Sequence, residues 1–238
     1  MSDPDLKFLG DCSKEDLDPL VEYVLKAKTE GLSKREVYKN HPGNHRRYVA
    51  HLIEEIRLFG GNTIANTVRG EGVAYKEIAT DVASKLKAKH SETASVEEIE
   101  WAILGKFLEQ SLEKMTDEER AKIQEELESL GLKGMNLGAG GAAAAIAAQI
   151  AVRGTGFAAY QLSVIVANGV AKAVLHRGLK LAANAGLTRL VSVLAGPVGW
   201  AVTALWTAVD IAGPAYRVTI PCVVHVSMLR LKQQAEDL

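Results

Sequence analysis

A stretch of twenty residues without a charged side chain, residues 190–209, constrains the fold of this chain more than any other feature. About twenty apolar residues in a helix span the hydrocarbon core of a bilayer. Gly196 and Pro197 interrupt the stretch near its middle, and a proline lacks an amide donor and clashes with the preceding helical turn. The stretch is therefore either a kinked membrane span or two short helices packed as a buried hairpin, with Gly196 and Pro197 as the hinge.

The distribution of charge divides the chain into an acidic front part and a mildly basic back part. Residues 1–133 contain 20 Lys or Arg against 26 Asp or Glu, whereas residues 134–238 contain 8 against 3. We therefore expect an acidic helical domain at residues 1–131 and an apolar, Gly/Ala-rich helical domain at residues 132–238. The back part then faces either a membrane or an acidic partner, or it faces the acidic domain itself within one fold.

Capping residues and apolar periodicity predict helices throughout the front part. Asp3, Ser13 and Ser95 each stand where a side-chain oxygen can cap a first helical turn, and Glu98 completes a capping-box pattern with Ser95. Apolar residues at helical spacing follow the caps at Ser13 and Ser95. We expect helices after these caps, a helix from Ser33 to the break at residues 42–43, and further helices over residues 44–58, 73–86 and 116–131, with Gly31 ending the helix that Ser13 begins.

Glycine, proline and alanine divide the back part into helical segments of roughly 10–22 residues. Small residues four apart, such as Gly138 and Ala142, let helix backbones approach closely, a pattern shared by membrane helix pairs and Ala-rich soluble bundles. Strand-type alternation persists only over residues 218–226, where Pro221 argues against a central strand. We therefore predict a helix there too, and an all-α chain. Gly213 and Pro214 form a second predicted hinge.

The polar side chains of Asn62, Asn66 and Arg69 fall on one face of a short predicted helix, where they form the most unusual polar feature of the front part. They are a candidate ligand site. The alternative, which we favour, is a buried hydrogen-bond network that sets the register of the helix against its neighbours.

Other signs of catalytic or metal chemistry are weak. A metal site can be assembled on paper from His45, His51, Glu54 and Glu55, but the spacing matches no usual zinc motif. No phosphate-binding loop is present, and the two cysteines form no close pair. The basic spot at residues 45–47 has no accompanying basic stripe. We therefore expect no catalytic residue, no metal, no cofactor and no nucleic-acid partner.

Four stretches spread along nearly the whole length of the chain carry a family resemblance. They are DPDLKFLGDCSKEDLDPLV, FGGNTIANTVRGEGVAYKEIATDVASKLK, EIEWAILGKFLEQSLEKM and AGPVGWAVTALWTAVDIAGPAYRVTIPCVVHV. In this order they resemble the uncharacterised bacterial YaaW family. The middle of that family is similar to the ubiquinol-cytochrome c chaperone family, helical proteins that assist the assembly of a respiratory membrane complex. The resemblance implies no catalytic residues. It implies a shared pattern of Gly60, Gly61, Asn62, Asn66, Arg69, Gly70 and residues 213–221.

We interpret the chain as a non-enzymatic interaction protein whose apolar C-terminal helices engage a membrane or a hydrophobic partner, through a conditional insertion like that of pore-forming proteins. One alternative is an assembly chaperone or adaptor that binds a client helix, and another is an enzyme with a polar site around Asn62 and Arg69. The candidate partners are a membrane lipid, a hydrophobic protein helix and a second copy of the chain. Because no secretory signal opens the sequence, we expect a cytoplasmic protein, peripheral to the inner membrane. The expected contact residues are Leu190, Val193, Leu194, Trp200, Leu205 and Trp206.

Overall fold

The structure, a computed structural model of the 238-residue chain, describes residues 3–27, 31–60, 72–113, 115–129, 156–180, 199, 202 and 215–236. Within these ranges the chain forms helices and their connections, and no strand. The predicted all-α fold is thereby confirmed. The predicted domain boundary at residues 131/132 lies outside the described residues and stays a prediction.

Two 3-10 helices and nine α-helices follow one another along the described part of the chain. The 3-10 helices are Pro4–Gly10 and His45–Arg47. The α-helices are α1 (Lys14–Lys26), α2 (Gly31–Lys34), α3 (Glu36–Asn40), α4 (Val49–Phe59), α5 (Tyr75–Leu86), α6 (Val96–Glu113), α7 (Asp117–Ser129), α8 (Phe157–Leu175) and α9 (Tyr216–Glu236). The long elements are α6, α8 and α9, with 18, 19 and 21 residues.

Side-chain caps begin several helices at the predicted positions. The Ser13 hydroxyl accepts a hydrogen bond from the Asp16 amide, and the Asp16 carboxylate accepts one from the Ser13 amide, both at 3.2 Å. Ser95 and Glu98 form the same reciprocal pair before α6. Asp3 caps the first 3-10 helix through an amide 3.1 Å away. Each cap satisfies a donor that the first helical turn leaves without a main-chain partner.

Local helix boundaries differ from prediction at three places in the front part of the chain. The helix expected from Ser33 is divided into α2 and α3, because Arg35 between them has extended backbone angles, φ −66° and ψ 129°. The helix expected from residue 44 begins as a 3-10 turn, and α4 starts after Tyr48, whose φ of −130° is not helical. The prediction that Gly31 ends the first helix is wrong. Gly31 begins α2, and the Glu55 carboxylate lies so close to it that a Cβ would collide.

The last helix, α9, runs through the core of the described residues. Every residue from 218 to 229 is buried. A helix that is buried all round must be covered on all its faces, and α9 packs against α1, α4, α5, α6, α8 and the first 3-10 helix. The predicted helix over residues 218–226 is confirmed, with Pro221 inside it. That proline removes one main-chain hydrogen bond near the start of the helix.

The uncharged stretch of residues 190–209 falls almost wholly outside the described residues. Of residues 190–209, the structure describes Gly199 and Val202, and the Val202 side chain is buried. Among the helices of the described ranges, none combines the length and the apolar composition needed to cross a bilayer. The choice between a kinked span and a buried hairpin stays a prediction.

Candidate functional site

The ligand-site, hinge and contact residues that the sequence singled out lie outside the described part of the chain. This holds for the ligand-site candidates Asn62, Asn66 and Arg69 and for the hinge residues Gly196, Pro197, Gly213 and Pro214. It holds equally for the contact candidates Leu190, Val193, Leu194, Trp200, Leu205 and Trp206. The structure instead brings a different set of polar residues together at the C-terminal end of α9.

A cavity of about 350 Å³ lies where the end of α9 meets the start of α1, and we call it the α9 cavity. Its volume is at the small end of the range for ligand pockets. Side chains of both charges line it, together with apolar and neutral polar groups. The lining residues are Phe8, Asp11, Cys12, Ser13, Asp16, Arg46, Leu229, Lys232, Gln233 and Glu236.

Asp16 is the residue through which α1 holds α9. Its carboxylate accepts two hydrogen bonds from the Lys232 ammonium, both of 2.9 Å, and one from the Ser13 hydroxyl at 2.7 Å. Its main-chain carbonyl accepts a hydrogen bond of 2.8 Å from Nε2 of His225. Because seven residues make about two helical turns, His225 and Lys232 share a face of α9. Asp16 of α1 thus binds two side chains on that face of α9, about two helical turns apart.

The environment of Asp16 keeps its carboxyl group ionised. Burial by itself raises the pKa of Asp16, but the hydrogen bonds from Lys232 and Ser13 outweigh burial and lower that pKa. At neutral pH the α9 cavity therefore contains a fixed ion pair between Asp16 and Lys232.

Cys12 is the one thiol in the wall of the α9 cavity. It donates a weak hydrogen bond to the Phe8 carbonyl at 3.7 Å. Burial raises the pKa of Cys12 to about 11, and the negative charge of Asp16 adds to the rise. Since the thiolate is the reactive form of cysteine, this thiol is a poor nucleophile at neutral pH.

The second 3-10 helix directs Arg46 toward the cavity and turns His45 inward. Arg46 donates to the carbonyls of residues 11 and 12 at 3.4 Å. The buried His45 ring forms hydrogen bonds with the Asp18 carboxylate through Nε2 and with the Tyr48 hydroxyl through Nδ1. These contacts join the 3-10 helix to α1.

The four residues considered as metal ligands do not meet at one site. His45 pairs with Asp18, whereas Nδ1 of His51 lies 3.4 Å from Glu54 on α4 and Glu55 is buried near Gly31. Over the ranges that the structure describes, no three or more His, Cys, Asp or Glu side chains are grouped to hold a metal ion.

A second polar cluster joins α9 to α5 and α6 inside the core. Nε of Arg230 donates to the Glu100 carboxylate at 2.9 Å, and the Tyr75 hydroxyl donates to the same carboxylate at 2.7 Å. Arg230 also donates to the Asp5 carbonyl at 2.8 Å, and its guanidinium lies 4.7 Å from the centroid of the Phe8 ring. Burial raises the pKa of Glu100 by more than the Arg230 charge lowers it.

Comparison with known proteins identifies the family of the chain. Residues 45–224 match the family model described as ubiquinol-cytochrome C chaperone. The chain is 44% identical to a UPF0174 protein of Helicobacter pylori strain J99, over 99% of this chain and 94% of that protein. It is 33% identical to the UPF0174 protein YaaW of Escherichia coli K12, over 97% of this chain and 94% of that protein. The chain belongs to the UPF0174 family and to the ubiquinol-cytochrome C chaperone family. The resemblance noted in the sequence is confirmed.

In this UPF0174 protein, the α9 cavity is built mainly by residues on either side of the segment that matches the chaperone model. Phe8 to Asp16 precede that segment, Leu229 to Glu236 follow it, and Arg46 lies near its start. Residues near both ends of the chain therefore form most of the wall of the α9 cavity, and the segment that matches the chaperone model contributes Arg46. No solved structure matches the fold of this UPF0174 protein.

Sequence reasoning missed this site because its residues are far apart along the chain. In the sequence, Asp16 is merely an acid in the first turn of the helix that Ser13 caps. A usable signal was present in α9, where His225 interrupts an apolar run and Arg230 and Lys232 stand near its end. Polar groups on a buried helix require partners. The three side chains therefore need partners, but the sequence does not identify which residues these partners are.

Proposed function

We propose that this UPF0174 protein acts by binding another protein, as an assembly chaperone or adaptor for a client helix, and that it catalyses no reaction. The observation that carries the proposal is the match of residues 45–224, most of the chain, to the ubiquinol-cytochrome C chaperone model. The model is named for a chaperone, and an all-α scaffold offers helix faces to which another protein can bind.

The α9 cavity supports the proposal as a place where a client side chain enters. The protonation states of its residues favour binding over catalysis. The Cys12 thiol stays protonated and is therefore a poor nucleophile, and the ionised Asp16 carboxylate is paired with Lys232. Fixed charges next to the apolar side chains of Phe8 and Leu229 can recognise a side chain that has both an apolar stem and a polar end.

The way the protein holds its own last helix gives a second line of support. Residues 218–229 of α9 are buried on all sides, and the basic residues that follow pair with acidic partners on neighbouring helices. A client helix with an apolar run and a basic end has the same chemistry. The proposal therefore takes an amphipathic or apolar helix as the client.

A photo-crosslinking experiment tests the proposal. Gln233 is exposed and lines the cavity, so a photo-crosslinking amino acid at that position in the full-length protein samples the site without removing a charge. The matched control carries the same amino acid at Glu125, which is exposed on α7. We expect irradiation in the host cell to join one defined protein to position 233, and no protein to position 125.

The absence of a crosslinked protein at position 233 overturns the proposal, and so does an equal crosslink at both positions. Flotation of the wild-type protein with vesicles of anionic lipid, measured in parallel, then decides whether the membrane interpretation of residues 190–209 replaces it. Flotation supports that interpretation, and a protein that stays at the bottom of the gradient removes it.

A further inference from the structure

His225 lies in the contact between α9 and α1, and its ring is buried. Nε2 is 2.8 Å from the main-chain carbonyl of Asp16. A carbonyl oxygen only accepts hydrogen bonds, so Nε2 carries the proton of the neutral ring and Nδ1 is its bare acceptor. In the described residues Nδ1 has no hydrogen-bond partner. A second proton on the ring would therefore add a buried charge and a buried N–H group without an acceptor.

The neutral groups around the ring do not supply that acceptor. Tyr23 of α1 stands edge-on to His225, with ring centroids 6.2 Å apart, and its hydroxyl also lacks a partner within the described ranges. Cys222 precedes His225 by about one turn on α9 and is fully buried. Burial raises the pKa of both the Tyr23 hydroxyl and the Cys222 thiol, so both groups are uncharged across the physiological range.

The charged groups nearby are already paired. Asp16 is the one charged side chain, among those the structure describes, whose field favours a proton on His225. Its carboxylate is engaged by Lys232. On the other helices that pack against α9, the buried acids are Glu100, which pairs with Arg230, and Glu55 of α4, which lies against Gly31. A protonated His225 would thus gain no unengaged countercharge.

We propose that His225 and Asp16 form a pH-sensitive latch, which holds α9 against α1 at neutral pH and opens when His225 takes up a proton. Opening exposes the ring to water, where the added charge is solvated. The same opening moves α9 away from Asp16, which also lines the α9 cavity, so the latch controls one wall of that cavity. This inference does not depend on the proposed chaperone role.

The sign and the pH window follow from the two states of the ring. Burial lowers the pKa of His225 from its ordinary 6.5 to about 4 in the closed state. The closed state therefore binds fewer protons than the open state between these values. Falling pH favours the open state from about pH 6.5 downward, and the effect grows until about pH 4.

The other titrating groups of the contact do not account for opening in this window. The pKa of Asp16 is lowered in the fold, so its contribution is lost only below its ordinary value of 3.8. The pKa of Glu100 is raised, so its protonation favours the closed state as pH falls. Acid opening between pH 6.5 and 4 is therefore assigned to His225.

Hydrogen exchange of the α9 amides in the full-length protein tests the latch. After correction for the intrinsic pH dependence of exchange, we expect the open population over residues 225–236 to rise about 20-fold from pH 7 to pH 5, from the pKa values of the two states. His225→Gln retains an amide donor for the Asp16 carbonyl and does not titrate, so its rise is expected to be several-fold smaller. His90→Gln, in a loop and only partly buried, is the matched control and is expected to follow the wild type.

A measurement on the wild-type ring covers the case in which His225→Gln fails to fold. Nitrogen chemical shifts are expected to show the proton on Nε2 and a titration midpoint below pH 5. Opening that is equal in wild type and His225→Gln overturns the latch, as does opening that His90→Gln also abolishes. A folded-state midpoint near 6.5, or a proton on Nδ1, overturns it independently of any variant.

Discussion

Replacing Arg230 by Met tests the buried charge cluster that joins α9 to α6. Methionine replaces the apolar methylene stem of the arginine by an unbranched apolar side chain and removes the guanidinium. The side chains of Arg230 and Glu100 are 13% and 3% exposed, so the change leaves a carboxylate in the core without its countercharge. The Glu100 carboxylate then keeps its hydrogen bond of 2.7 Å from the Tyr75 hydroxyl.

The size of the effect can be worked out from the chemistry of Glu100. Breaking one half of a buried ion pair costs about 3–5 kcal/mol. The carboxylate can escape part of that cost by taking up a proton, and burial already raises its pKa above the ordinary 4.5. Protonating an ordinary glutamate at pH 7 costs about 3 kcal/mol, at about 1.4 kcal/mol per pH unit. We therefore expect Arg230→Met to lower the free energy of unfolding by about 3 kcal/mol at pH 7.

The same reasoning predicts how the loss depends on pH. In Arg230→Met the folded state binds a proton at Glu100 that the unfolded state does not bind until the pH approaches 4.5. Stability of the variant relative to wild type therefore rises as pH falls. At pH 5 the deficit is expected to be about 2–3 kcal/mol smaller than at pH 7. A second substitution, Glu100→Leu in the same chain, is expected to recover stability because it removes the unpaired acid.

Urea unfolding followed by circular dichroism at both pH values measures these differences. The matched control is Lys39→Met, which breaks the ion pair between Lys39 and Glu36, whose side chains are 51% and 79% exposed. We expect this control to cost less than about 0.5 kcal/mol. A loss below about 1 kcal/mol for Arg230→Met, or a loss that is the same at pH 5 and pH 7, refutes the assignment of a buried, strongly coupled pair.

Two further predictions concern packing and thiol chemistry. Gly60→Ala is expected to lower the free energy of unfolding by about 1–3 kcal/mol, because a Cβ there would collide with the Ile78 side chain. Gly10→Ala is expected to be nearly neutral, because no atom lies within 4 Å of the added Cβ. Thermal melting compares the two variants, and equal melting midpoints contradict the packing explanation. Iodoacetamide is expected to modify Cys12 slowly at pH 7.5 and faster as the pH approaches about 11. It is expected to modify the buried Cys222 only after the protein unfolds. Rapid labelling of either thiol in the native protein at pH 7.5 contradicts these expectations.

The sequence predicted the helical elements well because the signals that start and stop helices act over one turn. Ser13 with Asp16 and Ser95 with Glu98 form their capping boxes within four residues. The helix through Pro221 was also predicted correctly, because a proline near the start of a helix removes only one hydrogen bond.

Local signals failed where a neighbouring element decided the backbone. A glycine commonly ends a helix, yet Gly31 begins α2, and the carboxylate of Glu55 on α4 lies against it. The break between α2 and α3 at Arg35 likewise has no strong signal in the residues around it. Close approach between elements distant in sequence is not encoded in a capping pattern.

The candidate site depended still more on the tertiary structure. In the sequence, Asp16 is only one of two acids in the first turn of a predicted helix, and His225 and Lys232 lie in the segment predicted as the last helix. Their chemistry follows from meeting each other: the ion pair with Lys232 keeps Asp16 ionised, and burial keeps His225 neutral. The sequence candidates Asn62, Asn66 and Arg69 lie outside the described residues, so their role stays a prediction.

The sequence by itself therefore determined that this UPF0174 protein is helical and where most described helices begin. Those properties depend on residues within a turn or two of one another. Only the tertiary structure decided that Asp16 is the partner of both His225 and Lys232, across separations of 209 and 216 residues. Burial and pairing set the protonation of these groups, and both arise only when the two ends of the chain come together in the folded core.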